Sequence, residues 1–290
     1  MIVNELYDGA GLGNQLWCYA VTRSIAKRLG YTFGIKSIEK FHGRDFLDLD
    51  FGEAVEGGYG VEGEAPIELP KGISNYYKEK KLMNGIFDVS TFDIDLYNVK
   101  DNTKVDGNMQ TEKYFIGMQD EVKDWIKIKR DKIINITDDI CIIHIRGGDF
   151  LYSTAFLSRD YYINAINHMK SINGCSLKFY IVTDDIRYSK SILPEIEIIG
   201  GALDQRDTMQ ASHHNGGTIW KDYSLMNVAK FLIIGASSFA WWAAWTNKRL
   251  QTIIAPKYWA AHKQSDSFWS TGDSYVKGWS WLDRQNNIYV

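Results

Sequence analysis

Four polar clusters, each set just behind an apolar run, hold the side chains of this 290-residue chain that are equipped for chemistry: Gly9–Gln15, His144–Asp149, Thr183–Asp185 and Gly235–Phe239. In His144-Ile-Arg-Gly-Gly-Asp149, strand alternation puts His144 and Arg146 on one side. Arginine stays protonated and offers a planar fork of donors, the side chain best shaped to hold a phosphate. The two glycines behind it allow a ligand or the backbone to come close. A structural Arg–Asp pair across a turn accounts for the same residues equally well. Ser237-Ser-Phe239 stands before a helix, where hydroxyls and backbone N–H groups either make an anion site or cap the helix. Asp184-Asp185 and Asp222 each fit two roles, hydrogen-bonding a nucleoside or capping a helix.

The first cluster, Gly9-Ala-Gly-Leu-Gly-Asn14, follows the dinucleotide fingerprint only in part. Asn14 occupies the place of the last glycine, and the acidic residue wanted about 20 positions on is replaced by Lys36 and then Glu39. A nucleotide-dependent oxidoreductase is therefore a poor reading. Asn14 and Gln15 nonetheless open an otherwise apolar helix with two amides, beside N–H groups that favour a polar or anionic partner.

Around these clusters the elements alternate. Ile2 to Tyr7 reads as a strand, Asn14 to Leu29 as a helix stopped by Gly30, and Tyr31 to Ile35 as a strand. His42 to Gly72 reads as loops with short strands, and Lys113 to Lys129 as one helix. The charged run 127–132 and the segment 135–139 read as a linker. Ile140 to Ile145 is continuous and apolar, as in a parallel strand covered on both faces. After it come a helix from Asp160, a strand over Leu177–Val182 and a short one over Ile196–Ile199. A helix over Trp220–Lys230, with Asp222 near its start, leads to a strand over Phe231–Ile234. A helix over Ala240–Asn247 and a last strand over Thr252–Ala255 complete the set. Trp241, Trp242 and Trp245 follow helical spacing and belong to a core. The pattern is that of an α/β chain with two Rossmann-like halves, residues 1–134 and 135–290.

Composition excludes several classes. Net charge is 33 − 36 = −3, so no basic field attracts nucleic acid. No apolar stretch approaches the roughly 20 residues that cross a bilayer. The 6 histidines are scattered apart from His213-His214 and no Cys-x-x-Cys pair exists, which leaves a structural metal site with little support. Cys18 and Cys141 lie in apolar runs and read as buried thiols of a reducing compartment. The start of the chain lacks signal-peptide character, and the expected location is the cytoplasm. The 40 aromatic residues (10 Trp, 17 Tyr, 13 Phe) also suit a non-catalytic glycan-binding protein, which needs no nucleotide site.

Taken in order, the motifs resemble those of the bacterial-type α-1,2-fucosyltransferases, glycosyltransferase family 11. The resemblance is carried by Gly11-Leu-Gly-Asn-Gln-Leu-Trp-Cys-Tyr-Ala20, Gly107-Asn-Met-Gln-Thr-Glu-Lys-Tyr-Phe115 and His144-Ile-Arg-Gly-Gly-Asp149. Tyr180-Ile-Val-Thr-Asp-Asp185, Asp222-Tyr-Ser-Leu-Met226 and Ala236-Ser-Ser-Phe-Ala-Trp-Trp-Ala-Ala-Trp245 continue it, so that it runs from residue 11 to about 258. It implies a GT-B architecture, two Rossmann-like domains facing a cleft. It also implies an inverting, metal-independent transfer of L-fucose from GDP-β-L-fucose, commonly to O2 of a galactose, on a glycan or lipid-linked oligosaccharide. No cofactor is implied. The same fold also serves other nucleotide sugars and linkages. Residue by residue, Arg146 and Asp149 become catalytic candidates, with His144, Arg146, Gly148, Asp184, Asp222, Ser237, Ser238 and Phe239 on the donor. Asn14, Gln15 and Glu112 become acceptor-side candidates. The resemblance leaves room for the extreme C-terminus to pack back on the first domain and for peripheral contact at the inner face of a membrane. Two positions depart from the pattern: Gly147 stands where the family has a second arginine, and Ala236 where it has an asparagine. The missing arginine either weakens the hold on the donor or leaves room for a different donor sugar.

Overall fold

The computed structural model describes residues 1–7, 9–57, 69–83, 88–148, 151, 156–201, 216–257 and 275–290. Contacts divide the chain into two units, Met1–Lys127 and Ile128–Val290.

The first unit runs β1 (Ile2–Glu5), α1 (Leu12–Leu29), β2 (Phe33–Lys36), β3 (Leu47–Asp48), β4 (Asn75–Lys78), β5 (Lys81–Met83), β6 (Asp88–Ser90), β7 (Thr103–Asp106) and α2 (Gln119–Trp125). The helix α1 forms because Leu16, Trp17, Ala20, Val21 and Ile25 repeat at helical spacing, and all five are fully buried. It ends at Gly30, whose left-handed φ of 74° lets its N–H reach back to Ala26 and Lys27. The sheet order is β2-β1-β7-β4, all parallel. The two strands β4 and β7 carry little apolar signal. What places β7 inside the sheet is a buried ion cluster: Lys104, 1% exposed, lies 2.9 Å from Glu5, which also meets Lys36 at 3.2 Å.

The single helix expected over Lys113–Lys129 is corrected. Glu112–Phe115 is a 3-10 turn, and Gly117 adopts φ 85°, which breaks the path before α2 begins. Beyond α2, β8 (Lys127–Ile128) stands at the division between the units.

The second unit runs β9 (Ile140–Ile145), α3 (Arg159–Asn173), β10 (Lys178–Thr183), α4 (Ile186–Ile192), β11 (Glu197–Ile198), α5 (Gly216–Val228), β12 (Phe231–Ile233), α6 (Ser238–Trp245), β13 (Thr252–Pro256), β14 (Ser280–Leu282) and β15 (Ile288–Tyr289). Its sheet order is β11-β10-β9-β12-β13-β14-β15, parallel except for the last pair. The strand β9 has neighbours on both edges, and Cys141, Ile142, Ile143 and Ile145 are fully buried, as its unbroken apolar run requires. Trp241, Trp242 and Trp245 of α6 are buried with ring centroids 5.0–5.5 Å apart, each removing on the order of 150–250 Å² of aromatic surface from water. The expected last strand is not the last: β14 and β15 follow β13 and extend this sheet. They are only three and two residues long, too short to show a period. Among the described residues no helix is long and apolar enough to cross a membrane.

Candidate functional site

In order along the chain, the first five parallel strands of the second sheet sit 3-2-1-4-5, so the winding reverses between β9 and β12. Ligands of doubly wound sheets bind at the carboxyl ends of the strands beside such a reversal. The segments that emerge there are 146–148 after β9 and 234–237 after β12. They pack together closely. Tyr161 donates to the Ile234 carbonyl at 2.7 Å, and a Cβ added to Gly235 would stand 3.1 Å from the Tyr162 hydroxyl and 3.2 Å from the His144 carbonyl.

Arg146 forms an ion pair with Asp184, which follows β10. Asp184 also accepts from the Gly147 N–H at 2.7 Å, so both its oxygens act on the 146–147 turn. Next to it, Asp185 caps α4 by accepting from Tyr188 N–H at 2.9 Å and accepts from Gly148 N–H at 3.0 Å. Thr183 supports the pair through its hydroxyl, 2.9 Å from Asp185 N–H and 2.8 Å from Ser189 Oγ. The partner of Arg146 is thus Asp184 at the end of the neighbouring strand, and it fixes the guanidinium in place; the pair expected across the turn to Asp149 lies outside the described residues. The space over Gly147 is occupied: a Cβ there would overlap Asp185 Cβ and come within 3.1 Å of its Cγ and Oδ2. Any side chain at position 147 would therefore have to displace Asp185.

His144 is 5% exposed, and its ring lies 6.3 Å from that of Phe239, which also meets Tyr223 at 5.6 Å. Burial, aided by the charge of Arg146, lowers the imidazole to about 3, so His144 is neutral near pH 7. Its Nδ1 is buried with no hydrogen-bond partner among the described residues. Ser237 caps α6 through a long 3.5 Å contact with Ala240 N–H, and Ser238 opens the helix. Asp222 lies in the second turn of α5 rather than at its start, because the helix begins at Gly216. Burial raises its carboxyl to about 7, with the charge of Asp184 adding and the 3.0 Å bond from Gly201 N–H opposing. Asp149 lies outside the described residues.

In the first unit, Asn14 accepts from Gln110 Nε2 at 2.8 Å, and Glu112 opens the 3-10 turn after that residue. Gln15 is 1% exposed, donates to the Lys40 carbonyl at 2.9 Å and accepts from His42 N–H at 2.9 Å. The amide thus ties the 40–42 loop to α1. Sequence reasoning missed Gly200 and Gly201, although they follow the short run Ile198-Ile199, the position where a strand turns into its ligand edge. Among the described residues, no group of three or more His, Cys, Asp or Glu is placed to hold a metal ion.

Comparison with known proteins gives four findings. The model of Glycosyl transferase family 11 matches residues 71–283. An alpha-1,2-colitosyltransferase of Escherichia coli is 28% identical over 207 residues, 64% of this chain and 68% of that protein. The O-antigen biosynthesis glycosyltransferase WbnK of Escherichia coli is 23% identical over 155 residues, 50% of this chain and 46% of that protein. Among solved structures, NodZ alpha-1,6-fucosyltransferase soaked with GDP-fucose aligns with a TM-score of 0.50 at 16% identity, covering 90% of this chain and 97% of that one. That likeness is one of fold: two bodies built on parallel sheets, the GT-B architecture.

Proposed function

We infer the reaction from one premise: the chain belongs to glycosyl transferase family 11. It is a glycosyltransferase of the fucosyltransferase type. The reading proposed is a metal-independent transfer of L-fucose from GDP-β-L-fucose, with inversion, to O2 of a galactose in a glycan or lipid-linked oligosaccharide. One observation carries it. A guanidinium, Arg146, is fixed by Asp184 at the carboxyl end of β9, beside the winding reversal of the second sheet.

Leaving-group departure builds charge on the β-phosphate of the nucleotide, and a preorganised cation with helix N–H dipoles lowers that barrier most directly. Arg146 supplies the cation, and Ser237, Ser238 and the Phe239 N–H supply the dipoles. Gly148 belongs to the same turn. Neutral His144 lines the donor side without repelling the arginine, and Asp184 and Asp222 serve the ribose or the base. Asn14 and Glu112 are the acceptor-side candidates of the first unit, Glu112 standing two residues beyond Gln110, the partner of Asn14, and Asp149 remains the candidate base.

Calorimetry tests the reading: GDP binds more tightly than UDP, with affinity unchanged by a chelator. Equal affinity for both nucleotides, or loss of binding on chelation, defeats it. A second donor is favoured by the relative named for colitose, which is fucose without its O3 hydroxyl. Parallel turnover with GDP-fucose and GDP-colitose decides between them.

A further inference from the structure

In the first sheet, ordered β2-β1-β7-β4, all four strands are parallel, so their carboxyl ends share one edge. Ligand sites of α/β sheets lie at such an edge. The residues there are polar and mutually engaged. Tyr7, just beyond β1, and Tyr76, on β4, both donate to the carboxylate of Asp106 at the end of β7, the second at 2.7 Å. Burial and the Asp106 charge push the Tyr7 phenol far up, so it keeps the proton it donates. Asp106, Tyr7, Tyr76, Asn14 and Gln110 are all partly exposed.

The loop that leaves β7 is clamped in place. Glu79, 5% exposed and just past β4, accepts from Asn108 N–H at 2.9 Å and from Met109 N–H at 2.8 Å. Gly107 has φ 137° and passes so close that a Cβ would stand 2.6 Å from Glu79 Oε2. Met109 is fully buried with φ 48°, a left-handed conformation that is rare for a side-chain-bearing residue and clusters at ligand sites. The clamped loop then presents Gln110 to Asn14, while Cys18, one turn further along the same face of α1, meets the Gly107 carbonyl at 3.3 Å. The charges of Glu79 and Asp106 add to burial in raising the Cys18 thiol to about 12, which marks both carboxylates as close to this face.

We propose that this edge is a hexopyranose subsite in which Asp106, flanked by Tyr7 and Tyr76, accepts from vicinal sugar hydroxyls beside the Asn14–Gln110 amide pair, with Glu79 as the positioning residue. The assignment deepens the transferase reading, for which it names the acceptor-recognising group. A carboxylate has about four acceptor sites, and the two tyrosines use two of them. Sugar hydroxyls both donate and accept, which suits a mixture of carboxylate, phenol and amide.

The test is ligand-observed NMR and calorimetry on the full chain, with and without GDP, using the methyl glycosides of galactose, glucose and N-acetylglucosamine as probes. At least one glycoside binds the parent. Asp106→Asn, which keeps the shape, weakens it by about 10- to 100-fold, the usual loss for a hydrogen bond to a charged group. Glu79→Gln weakens it comparably, because an amide N–H then faces a loop N–H. Tyr76→Phe weakens it by a smaller factor, and all three variants keep the parent's circular dichroism spectrum and cooperative thermal unfolding as proof that the first unit is folded. No glycoside binding to the parent, or Asp106→Asn within twofold of the parent, overturns the proposal. Glycoside binding without any GDP binding leaves the subsite standing and removes the transferase reading.

Discussion

Gly147→Ala adds one carbon at the position where this chain departs from its family, and its cost can be worked from the surroundings. The new Cβ would overlap Asp185 Cβ and lie 3.1 Å from Asp185 Cγ and Oδ2. These atoms belong to a capping side chain held by Tyr188 N–H and Gly148 N–H, so the neighbour cannot yield without losing bonds. Overpacking of this kind costs about 1–3 kcal/mol, and a displaced cap adds roughly 1 kcal/mol. A loss of about 2–4 kcal/mol corresponds to a fall in Tm of roughly 5–10 °C for a unit of this size.

Thermal unfolding followed by circular dichroism measures that fall, and a double-mutant cycle identifies its cause. Asp185→Gly removes the obstructing carbon along with the cap, so the Gly147→Ala/Asp185→Gly protein should be more stable than the sum of the single changes by about 1 kcal/mol or more. Additivity of the two changes would refute the steric argument. Gly147→Arg meets the same obstruction and is expected to lower stability without tightening GDP binding. An arginine variant with parental Tm and improved donor affinity would show that Asp185 does not control this position.

Three further outcomes follow. Arg146→Ala should cut transfer by on the order of 10²–10³ or more, and Arg146→Lys should recover only part, since lysine lacks the fork; an alanine variant with most of its turnover sinks the assignment. Asp222 holds its proton in the fold up to about pH 7 but loses it near 3.8 when unfolded, so its contribution declines as pH rises through that window, by on the order of 4 kcal/mol. Urea denaturation should therefore find Asp222→Asn equal to the parent near pH 4 and more stable at pH 8, and equal offsets at both pH values would contradict it. Gln15→Ala should destabilise the first unit by about 2–4 kcal/mol by leaving Lys40 O and His42 N–H unpaired, with the acceptor KM of the folded fraction unchanged; a raised KM would return Gln15 to the acceptor.

Legibility in the sequence followed the physics of each segment. The strand β9 and the helix α6 declared themselves because both are apolar on every side that the fold buries. The strand β7 did not: Thr-Lys-Val-Asp reads as surface, and only the pairing of Lys104 with Glu5, 99 residues earlier, makes it an interior strand. Ion pairs between distant positions leave no periodic signal. The helix expected after Lys113 failed at Gly117, whose left-handed backbone outweighed a good apolar pattern. At the site, the residue types were legible while their partners were not. Arg146 stood out as a cation at a strand end, but that Asp184 holds it depends on β10 lying beside β9 in register, Thr183 against Ile145.

The two glycines behind Arg146 invited a reading as approaches for a ligand, and the structure gives Gly147 another cause, which it shares with Gly107 and Gly200. Gly147 lies against Asp185, Gly107 against Glu79 and Gly200 against Asp222, each so tightly that a Cβ would collide with the acidic side chain. In each case that carboxylate accepts from the backbone N–H of a following residue: Gly148, Asn108 and Met109, or Gly201. The arrangement is a clamp, with an acid from one strand end or helix fixing the turn that leaves a neighbouring strand. Turns at a ligand edge must hold their shape while empty, because ordering them on binding would subtract from affinity. Asp185 and Glu79 each hold two N–H groups in this way and Asp222 one, and each crossing requires a residue without Cβ. The glycines are thus fixed by the protein's own carboxylates, and the side chains carried beside the clamped turns, Arg146 in one unit and Gln110 in the other, are held by Asp184 and Asn14.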